Sequence, residues 1–424
     1  MSLARFLKDR KASVAPMLAL TAIPLFGFVG AAVDYSSASS VRTSMQSALD
    51  STALMLSKTA GSLDPVPLQT LANNLFLANF NRPEALNTQV TATYAKQSNG
   101  SAVTVTATAQ IQTKILGSLG FPLLSIGSTA SVNWSNSRLR VALVLDNTGS
   151  MAQSGKMPAL KTAAHNLLTQ LQNAAQVDGD VYVSIIPFGK DVNVGSDNYG
   201  SSWIDWTDWD IANGTCSNSN HHSKNSCLNH SGTWTPNNHN TWNGCVTDRD
   251  QNYDTLISTP IAGGTLFPAE QYASCNTPIM SLSYDWTALN AKIDMMTPAG
   301  NTNQAIGLAW GWQSLSQTAP LSAPALDPNY QYQQVIILLS DGLNTQDRWY
   351  SSASPIDTRQ QTACNNAKAA GILIYTVLVM SGDSTVLKNC ASDSSRYFAL
   401  TNANQIITTF DTIGTSLARL HITH

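Results

Sequence analysis

Charge is scarce in this chain: Asp, Glu, Lys and Arg make up 12% of its 424 residues, and the formal net charge is −3. A nucleic-acid partner would call for a basic face, so no such partner is expected. There is no internal repeat and no long low-complexity run, which sets aside repeat arrays and extended disordered tracts. Cysteine is missing from the first 215 residues. Charge is missing altogether from Ser13 to Val33. What remains is a chain long enough for two or three domains with ample core.

The uncharged run Ser13–Val33 is 21 residues long and mostly apolar, enough to cross a bilayer. Arg5, Lys8, Arg10 and Lys11 precede it and Asp34 follows. The positive-inside rule then places residues 1–12 in the cytoplasm and everything after Asp34 outside. Pro16 and Pro24 interrupt the run, which a membrane helix tolerates. A cleavable signal peptide is the competing reading, with Gly30-Ala31-Ala32 as the cleavage site, although its apolar part usually spans 7–15 residues. Both readings export the remainder.

All six cysteines (Cys216, Cys227, Cys245, Cys275, Cys364, Cys390) follow the apolar run, and an even count in an oxidising space suggests disulfides. Cys364 and Cys390 flank one predicted strand and form a plausible pair. Proximity pairs Cys216 with Cys227 and Cys245 with Cys275, but the sequence leaves three connectivities open for those four.

Between residues 34 and 136 the sequence predicts a helix followed by a small α+β unit. Val41, Met45, Leu49, Ala53 and Leu56 recur at helical spacing, so the helix continues beyond the apolar run as a stalk packing on its own domain. Residues 66–80 suit another helix. TQVTATYA and SAVTVTATAQIQ alternate as paired strands around SNG, and STASVNW adds a third. From 137 to 420 the grammar changes. LRVALVLD, VYVSIIPFG, QVIILLSDG and GILIYTVLVM are near-continuous apolar strands interleaved with helical patterns, and RYFAL precedes a last helix. That alternation predicts an α/β fold, doubly wound about a parallel sheet. Residues 190–285 break the rhythm and read as a disulfide-bonded insertion, short of core and held by covalent staples.

In an open α/β sheet, ligands bind at the carboxyl ends of the strands where strand order reverses. Asp146 ends the strand LRVALVLD, with Thr148 and Ser150 behind it at alternate positions. Asp341 ends another strand, and the loop PAGNTN offers Thr302. Two carboxylates and three hydroxyls, with no thiolate or imidazole, suit a hard cation such as Mg²⁺ (or Mn²⁺).

This set resembles the metal-ion-dependent adhesion site of the von Willebrand factor A domain, Asp-x-Ser-x-Ser followed by a Thr and an Asp. Here the pattern is Asp146-x-Thr148-x-Ser150, then Thr302 and Asp341, with Thr keeping the first hydroxyl. The resemblance covers about residues 139–420. It implies that Thr148 and Ser150 ligate directly and Thr302 directly or through water. Asp146 and Asp341 would hold metal-bound waters, and a partner protein's carboxylate would take the open position.

Catalytic readings fail on particular residues. A haloacid-dehalogenase-type phosphatase needs a second acid where Thr148 stands. GSMAQSGKM mimics a phosphate-binding loop, but its glycines are one residue too far apart and Met157 replaces the Ser or Thr. Ser150 lacks the flanking glycines of a nucleophile elbow. No enzyme activity is expected. His221, His222, His230 and His239 beside cysteines could suggest zinc, but disulfides with surface histidines fit an exported chain better. Trp203, Trp206 and Trp209 could form a glycan or partner platform; packing within the insertion is the plainer account.

The N-terminal stretch RKASVAPMLALTAIPLFGFVGAAVDYSSASSVRTSMQSALDSTALMLSK resembles the anchor of TadG-like proteins of tight-adherence (Flp) pilus assembly. The basic lead, the apolar helix, the Asp34-Tyr35 exit and the helix bearing Gln46 and Asp50 carry that resemblance. Such proteins join this anchor to an exported von Willebrand A domain. The glutamate that pilins carry five residues into the apolar run is absent, so pilin-like processing is not expected. The resemblance implies a single-pass protein of the bacterial inner membrane whose carboxyl-terminal domain is periplasmic or surface-exposed. Its partner would be a pilus or pilus-assembly component. A metal-dependent adhesin or matrix-binding protein unrelated to pili is the alternative.

Overall fold

The computed structural model describes residues 14–422 apart from 98, 99, 135, 136, 176, 329, 381 and 383. The basic residues expected to lead the membrane segment (Arg5, Lys8, Arg10, Lys11) and Ser13 lie outside the described residues, as does the centre of the SNG turn. The chain divides after Asn136 into two units.

In the first unit, helix α1 (Val14–Ser57) runs without a break, with Pro24 inside it, and is long and apolar enough to cross a membrane. Its two halves face different surroundings. Met17, Leu18, Leu20, Leu25, Phe26 and Phe28 expose their side chains, whereas Val41, Met45, Leu49, Ala53 and Leu56 are fully buried. The second set recurs every three to four residues, so it forms one stripe on the helix. That stripe shares a core with Leu68, Ala72 and Phe76 of helix α2 (Pro65–Asn79) and with strand β2 (Gly100–Gln112). Val103, Val105, Ala107, Ala109 and Ile111 alternate inward along β2, as a period of two requires. Strands β1 (Ala85–Gln97) and β3 (Leu123–Trp134) pair antiparallel on either side of it. Each fully buried Leu or Met here contributes about 1.5–3 kcal/mol.

The second unit is a six-stranded sheet. In chain order its strands are β4 (Ser137–Asp146), β5 (Val181–Phe188), β6 (Met280–Ser283), β7 (Gln331–Ser340), β8 (Leu373–Val379) and β9 (Tyr397–Leu400). In space the order is β6-β5-β4-β7-β8-β9, with every neighbouring pair parallel except β6 on β5. Val141, Leu143 and Leu145 of β4 pack toward helices α3 (Lys156–Ala174) and α8 (Gln405–Ile422). Ala142 and Val144 pack toward helix α5 (Gln304–Leu315) on the opposite face. Both faces are covered, which explains why Val141 to Leu145 are apolar in succession. A Cβ on Gly311 would overlap Val144, so α5 reaches this close to β4 only because no side chain stands there.

The doubly wound α/β architecture expected from the sequence is the one present, with three corrections. Edge strand β6 runs antiparallel and lies inside the stretch 190–285 read as insertion. Helices α4 (Trp286–Asp294) and α7 (Ser384–Cys390) were not anticipated. The insertion is also not short of core: Trp209, Trp242, Ile204, Val246 and Phe267 are buried in one cluster with Phe188 and Trp310 of the main sheet layer. Packing of Trp203, Trp206 and Trp209 within the insertion was the plainer expectation; no helix or strand period marks Trp242 and Phe267 as members of the main core. The short strands Val192–Asn193, Cys245–Val246, Phe267–Glu270 and Ile204–Asp205 form a small sheet in that order. The disulfides are Cys216–Cys227, Cys245–Cys275 and Cys364–Cys390, the pairs that proximity favoured. The third ties α6 (Ala353–Ala369) to α7.

Candidate metal centre

Strand order turns at β4: β5 lies to one side and β7, β8 and β9 to the other. The carboxyl ends of β4 and β7 are therefore adjacent, and they present Asp146 and Asp341. After Asp146 the chain makes a short 3₁₀ turn (Gly149–Ala152) before α3, which turns the Thr148 and Ser150 hydroxyls back toward the strand ends.

A continuous hydrogen-bond chain results. Thr148 donates its N–H and its hydroxyl to Asp146 Oδ1, at 2.9 and 2.6 Å. Thr148 Oγ1 and Ser150 Oγ are 3.1 Å apart, and Ser150 Oγ donates to Asp341 Oδ1 at 2.6 Å. Ser340 Oγ donates to Asp146 Oδ2 at 2.6 Å. Four of the five residues singled out from the sequence are thus brought together. Thr302 is buried in the adjoining loop, and its hydrogen bonds run through its main chain, to Thr345 and Gln346. That loop is held against the first by Gly149 N–H to the Gly300 carbonyl at 3.0 Å and Ala299 N–H to the Asn147 carbonyl at 2.9 Å.

Lys156, which the Asp-x-Thr-x-Ser motif does not mark, also enters this pocket. Its ammonium donates to Asp341 Oδ2 at 2.6 Å, and both side chains are buried. Asp146 is fully buried, and desolvation together with the charge of Asp341 pushes its pKa up to about 6, against the pull of Ser340 and Thr148. Two carboxylates and one ammonium leave this pocket with a formal charge of −1 when all three are ionised. A hard divalent cation fits the donor set, because every candidate ligand is an oxygen.

Buried Asp248, Asp254 and Asp347, with exposed Asp208 and Asp250, form a second acidic cluster. Asn303 donates to Asp248 Oδ2 at 2.8 Å, and burial with the charges of Asp347 and Asp254 pushes Asp248 up to about 7. Arg359 closes on Asp254 with two N–H groups, one at 2.6 Å, and Arg348 reaches Asp250 and Asp208 at 2.9 Å each. Asp208, Asp248, Asp250 and Asp254 come from the insertion, while Asp347, Arg348 and Arg359 come from the main sheet's loops and helices. The insertion also touches the candidate centre through Tyr272, whose hydroxyl accepts the Asn301 N–H at 3.1 Å. Nothing in the one-dimensional pattern tied these residues to Asp146.

The other clusters resolve as packing. Trp209 is buried, Trp206 meets Trp209 and Trp242 edge to face, and His239 stacks on Trp206 with centroids 3.8 Å apart while pairing with Asp210. Trp203 lies edge-on to Phe267. His221 and His230 stack on one another beside the Cys216–Cys227 bridge rather than converging with those sulfurs. Among the described residues no group of three His, Cys, Asp or Glu side chains is arranged to hold a metal.

Residues 12–55 match the family model described as Flp pilus-assembly TadE/G-like. The chain is similar to the pilus adhesin SpaC from Lactobacillus rhamnosus GG, at 13% identity and a TM-score of 0.39, over 81% of this chain and 36% of that one. It is similar to the vWF domain of the type V pili tip protein Mfa5 from Porphyromonas gingivalis, at 12% identity and 0.40, over 68% and 97%. It is also similar to proximal thread matrix protein 1 from the mussel byssus with a zinc-occupied MIDAS motif, at 14% and 0.34, over 67% and 46%. This chain therefore spans about a third of the SpaC chain and under half of the mussel protein. No curated protein matches it. Residues 12–55 thus match a TadE/G-like model, and the second unit is a doubly wound α/β domain.

Proposed function

We propose that this chain is a membrane-anchored, non-catalytic protein-interaction component of a Flp-type pilus system. Its α/β domain would engage a protein partner through a divalent cation, Mg²⁺ or Mn²⁺. The observation that carries the reading is the hydrogen-bond chain Asp146–Thr148–Ser150–Asp341 at the point where strand order turns. Thr148 and Ser150 would ligate the ion, Asp146 and Asp341 would hold its waters, and Thr302 would complete the set from the neighbouring loop. A partner carboxylate then supplies the remaining oxygen. The pilus assignment is supported by the TadE/G-like segment and by a helix able to span a bilayer. On this reading the first residues are cytoplasmic and the remainder is periplasmic or surface-exposed.

The test is capture of partners by the full chain in detergent, with Mg²⁺ and with EDTA, repeated for Asp146→Ala. Pilus or pilus-assembly proteins retained only with Mg²⁺ and only by the unaltered chain are the expected result. A partner set indifferent to both changes would remove the metal-bridge reading. Retention of host or matrix proteins instead would favour an adhesin unrelated to pili.

A further inference from the structure

The loop between β2 and β3, residues 113–122, together with Leu123 at the start of β3, holds an unusual amount of uncovered apolar surface. Ile115, Leu119, Phe121 and Leu123 are 38%, 50%, 66% and 46% exposed, and Lys114 is the only charged residue in the loop. The loop lies against α1 at the level of the uncharged run. A Cβ on Gly30 would overlap the Ile115 side chain, and one on Gly27 would lie 3.8 Å from Leu119 Cδ1. Gly27 is six residues before Val33, about 9 Å along the helix axis at 1.5 Å per residue.

Many of the backbone polar groups that would oppose burial in lipid are already bonded. Asp34, itself buried, accepts the N–H groups of Lys114, Ile115 and Leu116 at 2.8, 3.0 and 2.8 Å. Within the loop, Phe121 N–H bonds the Leu116 carbonyl at 3.0 Å and Thr113 N–H bonds the Pro122 carbonyl at 3.0 Å. Thr113 Oγ1 donates to the Phe121 carbonyl at 2.5 Å. Gly120, at φ 97°, permits the reversal and has open space around it. Satisfied backbone is the condition for entering hydrocarbon.

We propose that this loop is a second membrane element, inserted beside α1 into the leaflet nearer the exported domain. The proposal rests on the reading of α1 as a membrane anchor. Lipid is the occupant because the exposed face continues that of the helix: Phe26, Phe28 and Val29 are 69%, 77% and 53% exposed at the same level. Exposed Tyr35 and Lys114 stand at the Asp34 end, where an aromatic ring and an ammonium suit the headgroup zone. Two apolar contacts side by side would hold the first unit at a set height and rotation on the membrane, which a single helix does not.

The experiment places an environment-sensitive fluorophore on one introduced cysteine of the full chain, since all six native cysteines are bonded. The chain is reconstituted in phosphatidylcholine–phosphatidylglycerol vesicles and quenched with doxyl lipids or aqueous iodide. Phe121→Cys and Leu119→Cys report on the loop, Phe26→Cys on the helix and Thr93→Cys on an exposed strand face. The expected result is blue-shifted emission at 119 and 121, quenched by doxyl lipid and shielded from iodide as at 26, with the reverse at 93. Loop labels that behave like 93 while 26 is lipid-quenched would overturn this inference and leave the anchor standing. Loop labels shielded from both quenchers would mean that protein covers the loop, and would overturn it too. A label at 26 that iodide reaches would overturn the anchor reading and this one together.

Discussion

The Lys156 ammonium lies 2.6 Å from Asp341 Oδ2, with both side chains buried at the end of the central sheet. Lys156 opens α3, one turn beyond the motif that supplies Ser150. It gives one of the two buried carboxylates a permanent partner and leaves Asp146 with hydroxyl and N–H donors only. A divalent cation bound here would share its field with that ammonium.

Removing the ammonium should therefore matter most when metal is absent. Lys156→Met leaves Asp341 buried without its ion partner, a loss on the order of 3 kcal/mol. Thermal melts in EDTA should show that loss, and Mg²⁺ should then stabilise the variant more than it stabilises the unaltered chain. Equal Mg²⁺ increments in both proteins would count against a shared site.

The pH dependence has a definite sign. Burial and Asp341 hold the Asp146 pKa near 6 in the folded chain, above the 3.8 of an unperturbed carboxyl. A group with a raised folded pKa binds more protons folded than unfolded, so the Asp146 contribution to stability falls as pH rises between about 4 and 6 and is level above that window. A shift of this size is worth about 2–3 kcal/mol. Denaturant melts in EDTA should show the fall, Asp146→Asn should flatten its share of it, and saturating Mg²⁺ should suppress it. Asp248, pushed up to about 7 by burial and its acidic neighbours, extends the remaining slope upward. An Asp146→Asn chain with an unaltered pH profile would show that this carboxyl is not the group responsible.

Ser150 links the two halves of the cradle, since its hydroxyl faces Thr148 and donates to Asp341. Ser150→Ala should weaken Mg²⁺ binding at least about tenfold, the scale seen when support for a metal ligand is lost. Calorimetric titration of the purified chain reads this directly. Affinity that survives the substitution would take Ser150 out of the ligand set.

Arg359 holds the insertion to α6 through Asp254, whose carboxylate is almost fully buried. Arg359→Gln should cost about 3 kcal/mol because it strands that carboxylate, and adding Asp254→Asn should restore part of the loss. Urea unfolding of the single and double variants separates these outcomes. Additive losses would mean the pair is not coupled.

The Cys245–Cys275 bridge closes a sequence separation of 30 residues and lies three residues from Tyr272, which holds Asn301 beside the candidate centre. Replacing both cysteines with serine should lower stability by about 3–4 kcal/mol on the chain-entropy account. It should also weaken Mg²⁺ binding, because the Tyr272 contact loses its anchor. Melting and titration of the same variant test both, and unchanged Mg²⁺ affinity would detach the bridge from the centre.

The fold was legible where burial imposes a period. Val141 to Leu145 are apolar in succession because both faces of β4 are covered, and Val41 to Leu56 recur at 3.6 because one helix face is. Asp146, Thr148, Ser150 and Asp341 stood out because polar residues abruptly end apolar strands. Edge strand β6 escaped notice, since four residues with one face packed leave too short a pattern. The buried acids of the insertion escaped for another reason. Asp248 and Asp254 are indistinguishable in sequence from surface aspartates until Asn303 and Arg359 are brought against them.

By itself the sequence determined the alternation of strands and helices, the uncharged span able to cross a bilayer, and the oxygen donors that close β4 and β7. These are local properties, written by backbone periodicity and by the cost of burying charge. Only the tertiary structure decided that Lys156 occupies the flank of Asp341, that the insertion's aromatic residues share the main core, and that Asp34 caps a loop 80 residues away. Each of those depends on contacts between segments far apart in the chain. No local preference encodes such a contact; it exists only after both partners have been placed.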